Sequence, residues 1–166
     1  MKKTAFIIAI FAALFALITA STNNATDGVT GSVAPVFKIE RADSTVKLDN
    51  LKGEWVLLQF WTSADAASRL AVNEYSRIYS AILKDENREP FRLLAVNFDR
   101  SQAIFNEIVR RDGLNAKSQF YVENDDLRNR LAKSYHLDGG MKALLINPNG
   151  QVVAVNPSAE TIKKAI

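Results

Sequence analysis

The chain has 166 residues, with 21 lysines and arginines against 18 aspartates and glutamates, one histidine and no cysteine. Without cysteine it has no thiol nucleophile, no thiolate metal site and no disulfide exchange of its own. Its lone histidine, His136, makes neither a zinc site nor a Ser-His relay by itself.

Met1-Lys2-Lys3 opens the chain, followed by an uncharged apolar run to Ile18 and the small residues Thr19-Ala20-Ser21. That order of charge, apolar stretch and small residues is the pattern of a secretory signal peptide over residues 1–20. The run falls somewhat short of the roughly 20 residues of a spanning helix, and an uncleaved anchor is the alternative. Ile18-Thr19-Ala20-Ser21 also has the shape of a lipoprotein processing box, with serine where the lipidated cysteine would stand. No acyl chain attaches without that thiol. The mature protein is therefore expected to be periplasmic or otherwise extracytoplasmic, with no stable membrane insertion once the signal is cleaved. Cleavage would remove two basic residues and no acid, leaving a nearly neutral chain. Such a balance argues against nucleic acid as a partner, since binding there rests on neutralising phosphates.

Residues 21–32 are small and polar and read as a flexible leader. The remainder, 33–166, is the length of one domain with a full core. Val36, Phe37 and Ile39, then Val46 and Leu48, flank the polar Arg41-Ala42-Asp43-Ser44, which predicts a short hairpin. Val56-Leu57-Leu58-Gln59-Phe60-Trp61 is a dense apolar run of the kind buried on both faces of a sheet. A helix follows from about Asp65 to Leu83, with Ala67, Ala71, Tyr75, Ile78 and Ile82 along one face. Phe91 to Phe98 is a second buried strand. Ser101 can cap a helix whose stripe is Ile104, Phe105, Ile108 and Val109, ending at Gly113. A short strand over Gln119 to Glu123 precedes a helix capped by Asn124 or Asp125, with Leu127, Leu131 and Tyr135 inward. Strands at Ala143 to Ile146 and Gln151 to Val155 join at Asn147-Pro148-Asn149-Gly150, a hairpin signal, and a short helix from Ser158 closes the chain. Alternating strands and helices imply parallel strands with crossover helices, and the last hairpin adds an antiparallel edge. The fold class is α/β, a three-layer sandwich on a mixed sheet with an N-terminal hairpin.

Ala34-Pro35-Val36-Phe37, Leu51-Lys52-Gly53, Val56-Leu57-Leu58-Gln59-Phe60-Trp61 and Ile146-Asn147-Pro148-Asn149-Gly150 occur in an order that resembles the TlpA/ResA-type envelope thioredoxins. The resemblance runs from about Val33 to the end and implies a thioredoxin-like fold. It also implies where a redox site would lie. After the phenylalanine-tryptophan pair the family carries two small residues, tryptophan, Cys-x-x-Cys and a basic residue. Here the text is Thr62-Ser63-Ala64-Asp65-Ala66-Ala67-Ser68-Arg69. Asp65 stands at the attacking cysteine, Ser68 at the resolving cysteine and Ala64 at the tryptophan, while Arg69 keeps the basic residue. Ala71 replaces a proton-transferring glutamate, and Met141 stands where the family's cis-proline would face the dithiol. The resemblance supports the fold and removes the activity.

Asp65 reads as a cap on its helix, worth about 1 kcal/mol, and a nucleophilic carboxylate would need an acid or metal partner that the sequence does not supply. Ser68 reads as a helix-surface or back-bonding serine, and His136 as a cation at a helix end. Trp61 packs inward with its strand or borders a groove with Met141, where a polypeptide partner could be held by burial and sulfur–aromatic contact. The candidate partner-binding residues are thus Trp61, Ala64, Arg69 and Met141. No cofactor and no metal are implied. The functional expectation is a redox-inactive envelope protein that binds or scaffolds an unidentified polypeptide. The alternative is an enzyme related to thiol-disulfide oxidoreductases, with a non-cysteine active site or thiols supplied elsewhere.

Overall fold

The structure, a computed structural model, describes residues 29–41 and 44–166. The expected signal peptide and most of the leader lie outside the described residues, as do Ala42 and Asp43 at the tip of the first hairpin. In chain order the elements are β1 (Lys38–Arg41), β2 (Ser44–Lys47), β3 (Trp55–Trp61), α1 (Ala66–Ile82), β4 (Phe91–Asn97), α2 (Gln102–Arg111), β5 (Gln119–Tyr121), α3 (Asp125–Ser134), β6 (Ala143–Ile146), β7 (Val152–Val155) and α4 (Ala159–Ala165). Short 3-10 turns at 48–51, 116–118 and 137–139 connect them.

The helices start where their caps direct. Asp65, Ser101, Asn124 and Ser158 each accept hydrogen bonds from the first-turn amides of α1, α2, α3 and α4. Five strands form one mixed sheet in the order β5-β4-β3-β6-β7. β3 pairs in parallel with β4, and β4 with β5, while β6 runs antiparallel to both β3 and β7. β1 and β2 make the separate N-terminal hairpin. The β6–β7 turn closes as its residues predict. Gly150 takes φ +80, which glycine adopts without strain, and Asn147 Oδ1 accepts from the amides of Asn149 and Gln151.

Alternation along β3 divides the core. Leu58 and Phe60 face the side covered by α3 and the hairpin, where they pack with Ile39, Leu131 and Tyr135. Leu57 faces α1 and α4 through Tyr75, Ile78 and Ile162, and Trp61 on the same side meets Val72 of α1 and Phe105 and Ile108 of α2. This is the expected three-layer arrangement: α1, α2 and α4 on one face of the sheet, α3 and the hairpin on the other.

The Gly31 amide donates to Val152 O (2.8 Å) and the Val152 amide to Ser32 O (2.9 Å), so backbone pairing reaches just ahead of Val33. Two local expectations differ. Ile104 is 49% exposed, since α2 buries only Phe105 and Ile108 fully. In α1 the first inward residue is Ser68, and Ala67 faces solvent.

Candidate functional site

The residues between β3 and α1 emerge at the C-terminal end of the sheet, and a carboxylate from the neighbouring strand end holds them. Asp99 lies just beyond β4 and is 7% exposed. Its Oδ1 accepts from the Thr62 hydroxyl (2.5 Å), the Ser63 amide (2.9 Å) and the Ser63 hydroxyl (3.0 Å), and its Oδ2 from Asn97 Nδ2 (3.0 Å). Burial works to raise the Asp99 pKa, but the bonds from Thr62, Asn97 and Ser63 outweigh it and hold the carboxyl below its ordinary value. Arg128 secures the backbone of this corner, donating to Asp99 O at 3.2 Å and also to Val122 O.

On the helix side the anchor is Ser68, which is buried. Its Oγ accepts from the Thr62 amide (3.3 Å) and donates to Asp65 O (3.1 Å), while Gln59 Nε2 donates to Ser68 O (3.4 Å). The expected back-bonding role is present, and the helix-surface position is corrected to a buried one. Asp65 itself accepts from the Ala67 amide at 3.0 Å, the N-cap role expected of it. Among the described residues no group of histidine, aspartate and glutamate is arranged to hold a metal ion.

The other candidates separate. Trp61 is 0% exposed, its ring 6.1 Å from that of Phe105 and beneath α1 and α2. It cannot touch a partner, which corrects its place among the partner-binding residues. Met141 is half-buried against the opposite layer, with Phe98, His136 and Leu137 around a cavity of about 400 Å³. Because successive residues of a strand face opposite sides, Trp61 and the Phe60-side Met141 share no surface. The bond from the Phe60 amide to Lys142 O (2.9 Å) does set Met141 level with the end of β3, where the 62–65 turn begins. Arg69 is also engaged. Its guanidinium grips Asp112 through Nε (2.8 Å) and Nη2 (2.7 Å), and Asn73 adds a weaker bond at 3.3 Å. The Arg69 bond is the main reason the Asp112 carboxyl sits below its ordinary value. Arg69 therefore ties α1 to the end of α2 and keeps 30% of its side chain exposed. Ala64 remains exposed, together with Ala66, Ala67 and Leu70, the last at 73%.

Sequence reasoning missed Asp99. The signal available was a polar pair, Asn97 and Asp99, closing an otherwise apolar strand, matched by two hydroxyls, Thr62 and Ser63, closing β3.

A family model described as thioredoxin-like matches residues 53–152, from the turn before β3 into β7. The chain belongs to this thioredoxin-like family. Solved structures similar to it include a thioredoxin-like protein from Parabacteroides distasonis, 26% identical, with a TM-score of 0.65 over 83% of this chain and 94% of that one. The thioredoxin domain of a thiol-disulfide oxidoreductase from Bacteroides vulgatus is 28% identical, with a TM-score of 0.67 over 82% and 96% of the two chains. A thiol:disulfide interchange protein from Bacteroides sp. is 25% identical, with a TM-score of 0.67 over 82% and 86%. No curated protein matches the chain. The thioredoxin-like frame is thus complete around Asp65 and Ser68, in a chain without a single cysteine.

Proposed function

We propose that this thioredoxin-like protein is redox-inactive, resides in the cell envelope and holds a polypeptide partner on the face where a dithiol would open. The observation that carries the reading is Asp65. The residue at the position of the attacking thiol spends its carboxylate on the Ala67 amide of its own helix. No thiol stands anywhere in the chain to replace it. Beside it lies an exposed apolar strip, Ala64, Ala66, Ala67 and Leu70, fixed in shape by the Asp99 and Ser68 bonds. Scattered apolar residues on a surface are ordinary, but four exposed ones within seven positions at the start of α1 are the kind of surface that partners cover. The envelope location rests on the Lys2-Lys3 opening and its apolar run. No helix among the described residues is long and apolar enough to cross a membrane.

Two measurements test this. The purified protein is expected to reduce a model disulfide no faster than buffer at any pH where it is folded. A photo-crosslinker placed at Leu70 is expected to capture a discrete polypeptide from envelope extract, and Ala67→Glu to abolish the capture. Turnover that survives repurification overturns the first half, and capture indifferent to Ala67→Glu overturns the second.

A further inference from the structure

A cavity of about 350 Å³ opens between α1 and the segment that leads from α2 to β5, beside the Arg69–Asp112 pair. Asn73, Ser76, Arg77 and Ser80 form its α1 wall, and Lys84 extends that wall just past the end of the helix. Their spacing of three and four places them on one polar stripe. Ser76 is 7% exposed, and its Oγ has no hydrogen-bond partner among the described residues, although its carbonyl accepts from the Ser80 hydroxyl (2.8 Å). A serine within a helix ordinarily bonds back to the carbonyl one turn earlier or points to solvent, and this one does neither. A buried hydroxyl left so is costly, and its proton rotates to suit the group that reaches it.

The charge left over in the cavity is positive. The carboxylate in its wall, Asp112, is already bound by Arg69 at 2.7 Å and has Arg111 3.6 Å away. Arg77 and Lys84 take part in no ion pair among the described residues. Across from them Asn115 uses its Oδ1 for the Lys117 amide (3.0 Å), which leaves its Nδ2 as a donor. Two uncommitted cations with hydroxyl and amide donors suit an anion, and two positive charges favour a dianion over a carboxylate. The volume is that of a small-molecule site, larger than an inorganic ion fills. Two cations in a confined cleft are too few for a nucleic-acid backbone, which binds through many phosphates.

We propose that this cavity binds a small phosphate monoester, held by its phosphate group between Arg77 and Lys84 with the Ser76 hydroxyl beneath. The site is separate from the face around Leu70 and stands or falls independently of it. Calorimetry of the purified protein at fixed ionic strength tests it, with glycerol 3-phosphate as the probe and glycerol and phosphatidylglycerol vesicles as controls. Glycerol 3-phosphate is expected to bind and to shift the NMR amides of residues 73–84 and 112–115, and glycerol to do neither. Arg77→Gln and Lys84→Gln, both at exposed positions, are each expected to weaken binding about tenfold, the value of one charge-assisted bond. Ser76→Ala should weaken it severalfold with an otherwise unchanged amide spectrum. Lys47→Gln, in the hairpin on the other face of the sheet, should leave it as it was. No binding at millimolar probe, affinity indifferent to any of the three cavity substitutions, or an equal loss in Lys47→Gln would each overturn the proposal. Binding to the vesicles in place of the soluble monoester, or shifts confined to residues 64–70, would overturn it too.

Discussion

Removing the carboxylate of Asp99 should loosen the 62–65 turn and with it the start of α1. Four hydrogen bonds end on this side chain, two from hydroxyls, one from a backbone amide and one from Asn97. A hydrogen bond to a charged group contributes about 1.5–3 kcal/mol, and the sum must be discounted because half-exposed Thr62 and Ser63 regain water when the partner goes. Asp99→Ala is therefore expected to cost about 2–3 kcal/mol, and Asp99→Asn about 1–2, since an amide oxygen still accepts but the charge is lost. Urea unfolding reads this as a midpoint lowered by about 1–2 M at neutral pH, for a typical slope of this chain length.

The pH dependence sharpens the test. The folded-state pKa of Asp99 is lowered, so the unfolded chain binds the proton more readily. The stability due to the carboxylate is fully present above the unfolded value near 4 and is lost as pH falls through the folded value. The gap between wild type and Asp99→Asn should be widest at neutral pH and narrow below about pH 4. An unmoved midpoint for Asp99→Ala at pH 7, or a gap that persists unchanged at pH 3, would refute the assignment.

Asp65→Ala should lower stability by about 1 kcal/mol and Asp65→Asn by much less, as caps do, which thermal unfolding would check. Asp112→Asn weakens a mostly buried bidentate pair and should cost about 1 kcal/mol, with salt eroding part of the wild-type advantage in urea titrations. His136 takes φ 50 in the left-handed region just past α3, so His136→Gly should raise the melting temperature by relieving about 1 kcal/mol of strain. Asp65→Cys with Ser68→Cys should form an intramolecular disulfide by mass spectrometry, because an N-cap and the third helical residue lie about one turn apart, within the 4.4–6.8 Å that a disulfide spans.

The elements and their order were legible because each rests on a local signal. Ser101, Asn124 and Ser158 stop one conformation and start another, and the Asn147 to Gly150 turn allows little else. The site was legible only in part, and the misses share a cause. β3 is covered on both faces, so its apolar run carries no alternation from which to learn that Phe60 looks toward Tyr135 and Trp61 toward Phe105. Trp61 and Met141 could be placed together only while that was unknown. Arg69 finds Asp112 across 43 positions, and Thr62 finds Asp99 across 37, distances at which spacing gives no guidance.

A thioredoxin-like frame can dispense with its dithiol because little of its stability comes from there. A disulfide between positions 65 and 68 would close a loop of only four residues, worth about 2 kcal/mol in the chain-entropy picture. The Asp65 cap supplies about 1 kcal/mol at the same helix end. The Ser68 hydroxyl adds bonds to the Thr62 amide and Asp65 O, each contributing about 0.5–1.5 kcal/mol. The helix terminus also favours an anion whether it is a thiolate or a carboxylate. Asp99, Asn97 and Gln59 hold the turn from outside the pair and require no sulfur. The shape of the 62–68 segment therefore rests on oxygen and nitrogen groups that this chain carries itself.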